Sequence, residues 1–229
     1  MEYPTYVLVH GAWGGAWSWD KFTPELDRRD IAWRTLDLPS SRVGTDPTSD
    51  LRADAEVVAK VANGVGGPVI LVGHSYAGAV ITEAAASIPN IERLVYIAAS
   101  VPNVGESHSD CARLAKVKTK MDKAIKVEGD LLLLDMKLAP LALYQESTPQ
   151  DREWAAAQLS VQTLASFRSP RSAQPTGARS RYVLCRNDHA LDPSVQELMA
   201  QRCDVVIEIS SDHCPFLSHP LELAHAVLG

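Results

Sequence analysis

Six short aliphatic and β-branched runs limit what this chain can become: TYVLVH at 5–10, IAWRTLDL at 31–38, PVILVGH at 68–74, IERLVYIAA at 91–99, SRYVLC at 180–185 and DVVIEIS at 204–210. They are near-continuous in apolar character, the pattern of strands covered on both faces, and not the alternation of half-wet ones. Helical patterns lie between most of them, so the expected fold is α/β, a mostly parallel six-stranded sheet with crossover helices on both faces. At 229 residues, with 46% hydrophobic and 22% charged residues, one domain around one substantial core is expected.

The helices have local signals. Thr23-Pro24, Thr148-Pro149 and Asp192-Pro193 each set a capping residue before a proline at the first helical position, where a missing N–H costs nothing. The alanine-rich AGAVITEAAASI should stop before Pro89. NGVGGP at 63–68 precedes a strand, the wrong context for a dinucleotide fingerprint, and no internal repeat is found.

Residues 101–179 break the rhythm: they show no convincing strand, carry Leu and Ala at helical spacings, and exceed the length of any ordinary crossover. They are expected to form a helical cap inserted into a core made of 1–100 and 180–229, over the sheet's carboxyl edge, where open parallel sheets bind ligands. The ends of this span, VPNVGESHSD and SPRSAQPTGARS, are polar and proline-bearing like linkers.

A net charge of −6 without a Lys/Arg block argues against nucleic acid and anionic membranes as partners. MEYPTYVLVHG lacks the basic and long apolar regions of a secretion signal, and LLLLDMKLAPLALY is interrupted by Asp135, Lys137 and Pro140, far short of a span of about 20 residues. A soluble, cytoplasmic protein is expected, its four cysteines free because none has C-x-x-C spacing.

Between the third run and the alanine-rich helix stands GHSYAG, residues 73–78. A strand, a small-residue turn and a helix are the context of a nucleophile elbow, although Ala77 occupies the last position of G-x-S-x-G and Gly78 follows one step later. Ser75 is the candidate nucleophile. A serine hydroxyl needs a base and a group to orient that base. Of seven histidines, His213 in SSDHCPF is best placed, just past the last strand; His219 reads as a pre-helix residue, His225 as an exposed helix face, His108 as part of the insertion and His10 as a loop pin. Asp188 lies three residues beyond the fifth run, at the edge where the orienting acid must be; Asp192 is explained as a cap, and Asp212 should point away from its neighbour His213. HGAWGGAWSW at 10–19 can turn its backbone so that the Ala12 N–H, with the Tyr76 N–H at the helix start, forms an oxyanion hole.

Taken together, LVHGAWGGAWSW, DLP, LVGHSYAG, YIAASVP, YVLCRNDHAL and SSDHCPFLSHP resemble the α/β-hydrolase superfamily, in the branch of plant methylesterases, hydroxynitrile lyases and their bacterial esterase relatives. The resemblance implies a Ser75–Asp188–His213 triad, a compact six-stranded version of the fold, and hydrolysis of a small to medium carboxylic ester through an acyl-enzyme, with no metal or organic cofactor. Lyases of this branch carry Lys after the catalytic His and Thr after the first-motif His. Cys214 and Gly11 stand there instead, so ester hydrolysis is favoured over the alternatives of a C–C lyase or a ligand-binding protein on the same scaffold. The expected partner is a small-molecule ester, and a homodimer is compatible with this reading. Trp13, Leu132, Tyr144 and Trp154, with Leu143 and other insertion leucines, are candidates to line its pocket.

Overall fold

The computed structural model of the chain describes residues 3–174 and 176–229. Met1 and Glu2 of MEYPTYVLVHG and Pro175 of SPRSAQPTGARS lie outside the described residues. The first four strands are β1 (Thr5–Val9), β2 (Trp33–Thr35), β3 (Val69–His74) and β4 (Ile91–Ile97). The insertion contributes β5 (Ile125–Glu128), β6 (Leu131–Leu134) and β7 (Gln162–Thr163), and the chain ends through β8 (Arg179–Cys185) and β9 (Val205–Ile209). The main sheet has the order β2-β1-β3-β4-β8-β9, and every neighbouring pair is parallel.

Both faces of the central strands are covered, which is why they read as continuous apolar runs. Leu8, Ile70, Val72, Val95, Ile97 and Val183 enter one core cluster; Val7, Val9, Leu71, Leu94, Tyr96 and Leu184 enter the other. The second run is shorter than its sequence suggests. After Thr35 the chain leaves the sheet: Leu38 N–H donates to His10 Nε2 (3.0 Å) and Asp37 accepts from the Ala16 N–H (2.7 Å), so these residues bind the loop after β1 and not its strand.

Two of the three proline-preceding residues cap as expected. Thr148 accepts from the Asp151 N–H and Asp192 from the Ser194 N–H. Thr23 does not: its helix, Thr23–Asp27, already includes it and starts from Phe22, whose backbone is helical because it leaves a preceding 3₁₀ turn. The helix after Ser75 runs Ala77–Ala84, tightens to 3₁₀ over Ala85–Ser87 and stops before Pro89.

The expectation of a strandless insertion is corrected. β5 and β6 form an antiparallel hairpin, with Ile125 opposite Leu134 and Glu128 opposite Leu131, and β7 adds a third strand. The turn is Gly129-Asp130, with Gly129 at φ +59°. Gly-Asp between the alternating IKVE and the apolar LLLL is a hairpin signal, and the unbroken leucines hid it by mimicking a helix face. Among the described residues, five short helices complete the insertion: His108–Ala112, Lys120–Ala124, Ala139–Leu143, Pro149–Ala156 and Leu164–Arg168. No helix among the described residues is long and apolar enough to cross a membrane.

The helix Ala77–Ala84 lies hard against the segment after β4. A Cβ on Gly78 would come 2.2 Å from the Ser100 carbonyl oxygen and 2.8 Å from Ala99 Cβ. The obstacle is backbone, which cannot step aside. Gly78→Ala should therefore lower the unfolding free energy by about 1–3 kcal/mol, read as an earlier urea midpoint at unchanged slope; an unchanged midpoint would contradict the close packing.

Candidate active site

Ser75 follows β3 directly and has a left-handed backbone, φ +55°. For a non-glycine residue that conformation costs about 1–3 kcal/mol, and three backbone hydrogen bonds hold it: Ser75 N–H to Ile97 O (3.0 Å), Gly78 N–H to Ser75 O (3.1 Å) and Ser100 N–H to Ser75 O (3.2 Å). Gly73 lets the strand pass the following turn, because a Cβ there would lie 2.7 Å from the Ala77 carbonyl oxygen. Ala77 is fully buried without conflict, so the tight position of this turn is Gly78 and not the last letter of G-x-S-x-G.

Beyond β9 the chain brings His213 to the same place, 3% exposed. Its Nδ1 lies 2.6 Å from Asp188 Oδ2. The Asp188 carboxylate is otherwise filled by donors: Gln196 Nε2 to Oδ2 (2.8 Å), and the Ala190 and Leu191 N–H groups to Oδ1 (2.6 and 2.9 Å). Acceptor-only and fully engaged, Asp188 keeps the His213 proton on Nδ1 and leaves Nε2 as the basic nitrogen. Ser75 and His213 line one cavity of about 280 Å³. Asp212 is turned elsewhere, accepting from the Glu146 N–H (3.0 Å), Ser218 Oγ (2.7 Å) and the Cys214 N–H (3.2 Å).

Two further histidines hold this end of the sheet together. His10 bonds Gly11 O through Nδ1 (2.8 Å) and accepts the Leu38 N–H at Nε2. His74 Nε2 donates to the His213 carbonyl oxygen (2.8 Å) with the two rings 4.6 Å apart. Burial pushes both imidazoles below their ordinary pKa, so they act as neutral struts. His74 also explains Gly11, since a Cβ there would sit 2.6 Å from His74 Nδ1. His219 bonds Ser218 Oγ (2.9 Å) ahead of the last helix, Pro220–Leu228, on which His225 is exposed.

Of the two N–H groups proposed for an oxyanion, Ala12 is on the cavity wall and Tyr76 directly precedes the helix Ala77–Ala84. The loop carrying Ala12 is fixed by Trp13, at φ +59°: its N–H donates to Gln162 Oε1 (3.2 Å), its indole Nε1 to Leu132 O (2.8 Å), and its carbonyl accepts the Ser160 N–H (2.9 Å). Gln162 Nε2 continues to Ser40 Oγ (2.8 Å) and Ser166 Oγ (2.6 Å). Behind them Asp54 accepts from the Ser40 N–H (3.0 Å), Ser40 Oγ (2.5 Å) and the Tyr76 hydroxyl (2.7 Å). Loop, elbow and β7 thus share one buried polar network. Burial outweighs those donors, and the Asp54 carboxyl is pushed up to about 6.

The pocket candidates divide. Trp13, Leu143 and Tyr144 line the cavity, but Leu132 and Trp154 are not among the described residues that do. Leu132 is buried within the small sheet's packing and offers only its carbonyl to Trp13, while Trp154 packs edge-on against Trp17, ring centroids 5.6 Å apart. Met136, Leu138 and Leu141 are exposed. Phe167 and Phe216, unmarked in the sequence, stand on the wall, and so does His108, which the sequence places only in the insertion. Insertion residues carry no positional signal of this kind; only the capping box Ser107–Asp110 marks His108 as the first residue of a helix. Among the described residues no group of His, Cys, Asp or Glu is arranged to hold a metal ion.

Comparison with known proteins finds that residues 6–226 match the family model described as Alpha/beta hydrolase family. The chain is 28% identical over 236 residues to "Alpha/beta hydrolase nvfD" of Aspergillus novofumigatus, covering 96% of this chain and 93% of that one. It is 26% identical over 244 residues to methyl jasmonate esterase 1 of Vitis vinifera, covering 95% and 93%. Among solved structures, a pyrethroid hydrolase from Sphingobium faniae JZ-2 superposes with a TM-score of 0.83 at 20% identity, over 99% of this chain and 96% of that one, a likeness of fold.

Asp54 gives the network a pH signature. Its folded pKa, about 6, lies above the ordinary 3.8, so the folded state holds the proton more tightly than the unfolded chain. The resulting stability is fully present below pH ~4 and is lost as pH rises through ~6, by about 3 kcal/mol at 1.36 kcal/mol per unit. Urea unfolding of the protein and of Asp54→Asn across pH 4 to 7 should show the difference between them changing by that order and in that direction. A pH-independent difference would mean that the carboxyl is not desolvated.

Proposed function

Because the chain belongs to the alpha/beta hydrolase family, we propose that it is a carboxylic ester hydrolase whose nucleophile is Ser75, with His213 as base and Asp188 as its orienting partner. The observation that carries the reading is the 2.6 Å contact of His213 with a saturated Asp188 carboxylate, on a cavity wall shared with a serine held at φ +55°. In this family setting, with esterases among the relatives, the reaction is acyl transfer.

Ser75 Oγ attacks the ester carbonyl carbon while His213 Nε2 takes its proton. Charge builds on the former carbonyl oxygen, where the N–H groups of Ala12 and Tyr76 receive it; a lost donor of this kind typically costs about 2.7–4 kcal/mol of barrier stabilisation. His213 returns the proton to the leaving alkoxide, and the alcohol departs. Water then gives a proton to His213 and attacks the acyl carbon; the bond from that carbon to Ser75 Oγ breaks as His213 returns the proton to Oγ, and the acid is released. Residues 101–179 act as a cap on the core formed by 1–100 and 180–229, and supply Leu143, Tyr144 and Phe167 to a cavity suited to a small or medium ester. A reducing compartment such as the cytoplasm suits four free thiols.

Cyanohydrin cleavage is the weaker reading. Cys214, next to His213, is buried with its thiol pushed well above the ordinary range, so it is neutral and offers no cation to a leaving cyanide. Gly11 has no room for a side chain that could manage a hydroxyl.

A fluorophosphonate should add one phosphonyl group per chain, mapping to Ser75 by peptide mass. Labelling should slow by several orders of magnitude in His213→Ala and on the order of 10⁴-fold in Asp188→Asn, and ester turnover should fall in parallel. A folded protein left unlabelled would overturn this reading and favour a ligand-binding role.

A further inference from the structure

His108 is the one buried histidine of the cavity wall that the proposed chemistry leaves without a task. It opens the helix His108–Ala112, is 9% exposed, and is clamped by aromatic rings, Phe167 with centroids 4.3 Å away and Tyr76 at 5.6 Å. Its Nδ1 lies 2.8 Å from Ser100 Oγ, and Ser100 is itself tied to the elbow through the bond of its N–H to Ser75 O. The imidazole is thus held in register with the nucleophile.

Ser100 is fully buried, and Nδ1 is the partner its hydroxyl has among the described residues. If Nδ1–H donated, the hydroxyl proton would be left buried without an acceptor, a cost well above that of the reverse arrangement. Ser100 Oγ–H therefore donates to Nδ1, and the ring proton is on Nε2. That nitrogen has no partner among the described residues and is not one of the sealed, unpaired polar atoms, so it opens onto the cavity that His108 lines. His10, a purely structural imidazole, has both ring nitrogens engaged.

We propose that His108 determines specificity by presenting a neutral Nε2–H donor to the substrate, so that the cavity favours esters carrying a second, uncharged acceptor oxygen, such as a keto or ether group, in the part that packs against Phe167. Burial, with the nearby His213 adding to it, pushes the His108 pKa down to about 4, so the donor carries no charge in the neutral range. A substrate carboxylate at this spot would be desolvated against Phe167 and Tyr76, and the guanidinium of Arg113 on the same cavity wall is already paired with Asp110 (2.7 Å), so a carboxylate is disfavoured. This inference rests on the ester-hydrolase reading.

The test compares methyl pentanoate with methyl 3-oxopentanoate and methyl 4-oxopentanoate by pH-stat titration, each rate normalised to alkaline hydrolysis. In the unaltered protein at least one oxo ester should exceed methyl pentanoate in kcat/KM by about tenfold or more, because an analogue lacking the acceptor leaves the donor unpaired. That ratio should stay flat from pH 6 to 8.5, as a neutral donor requires. In His108→Phe it should fall to within about twofold of unity, chiefly through KM, and His108→Gln, which keeps an N–H donor, should retain part of it. No preference in the unaltered protein, or a preference that survives His108→Phe, would overturn the proposal while leaving the hydrolase reading intact. An unaltered protein that neither turns over any of the three esters nor reacts with a fluorophosphonate at Ser75 would overturn both. Should His108→Phe fail to fold, the ratio in the unaltered protein and in His108→Gln decides.

Discussion

A serine held at φ +55° stays there only while its surroundings outweigh the backbone cost, and at Ser75 they do so from three directions. β4 supplies the carbonyl of Ile97, the segment after β4 supplies the N–H of Ser100, and the following helix supplies the N–H of Gly78. Those bonds need strand, helix and loop closer together than side chains permit, and so the glycines at 73 and 78 follow from the serine's conformation. The same closeness fixes the start of the helix beside the hydroxyl, and ties His108 to the elbow through Ser100.

Four buried histidines crowd this end of the sheet, and their partners set them apart. His10 and His74 meet backbone groups, His108 meets a hydroxyl, and His213 meets a carboxylate. Only the last arrangement can offset a positive charge formed on the ring during proton transfer. His10 and His74 brace the backbone around it, and on the proposed reading the same side chain serves as strut, donor and base within one small region.

Legibility in the sequence followed the strength of the local signal. The core strands could be read because burial on both faces leaves a continuous apolar run, and the gathering of Ser75, Asp188 and His213 at one end of the sheet because each stands just past the end of such a run. The insertion could not be read in the same way. LLLL satisfies a helix and a buried strand equally, and the deciding turn, Gly129-Asp130, is two residues long. Wall residues such as Phe167, and the displacement of Leu132 and Trp154 from the cavity, depend on how short elements pack across the chain, which no spacing along it encodes. Nothing in the sequence around Asp54 singles it out, yet in the helix Leu51–Asn63 it is fully buried beneath Tyr76 and Ser40.

Trp13 joins two parts that could otherwise move apart. Its indole and backbone bond Leu132, Gln162 and Ser160 of the insertion, while Ala12, one residue before it, faces the cavity. Swinging the small sheet away as a hinged lid would break all three bonds, each worth about 0.5–1.5 kcal/mol, and would pull on the N–H of Ala12 at the same time. Arg113, Thr119 and Asp122 line the same cavity with exposed or half-exposed side chains and make none of these bonds to Trp13. The chamber thus has one side that meets solvent and an opposite side held as a fixed wall, so exchange with solvent need not disturb the loop that carries Ala12.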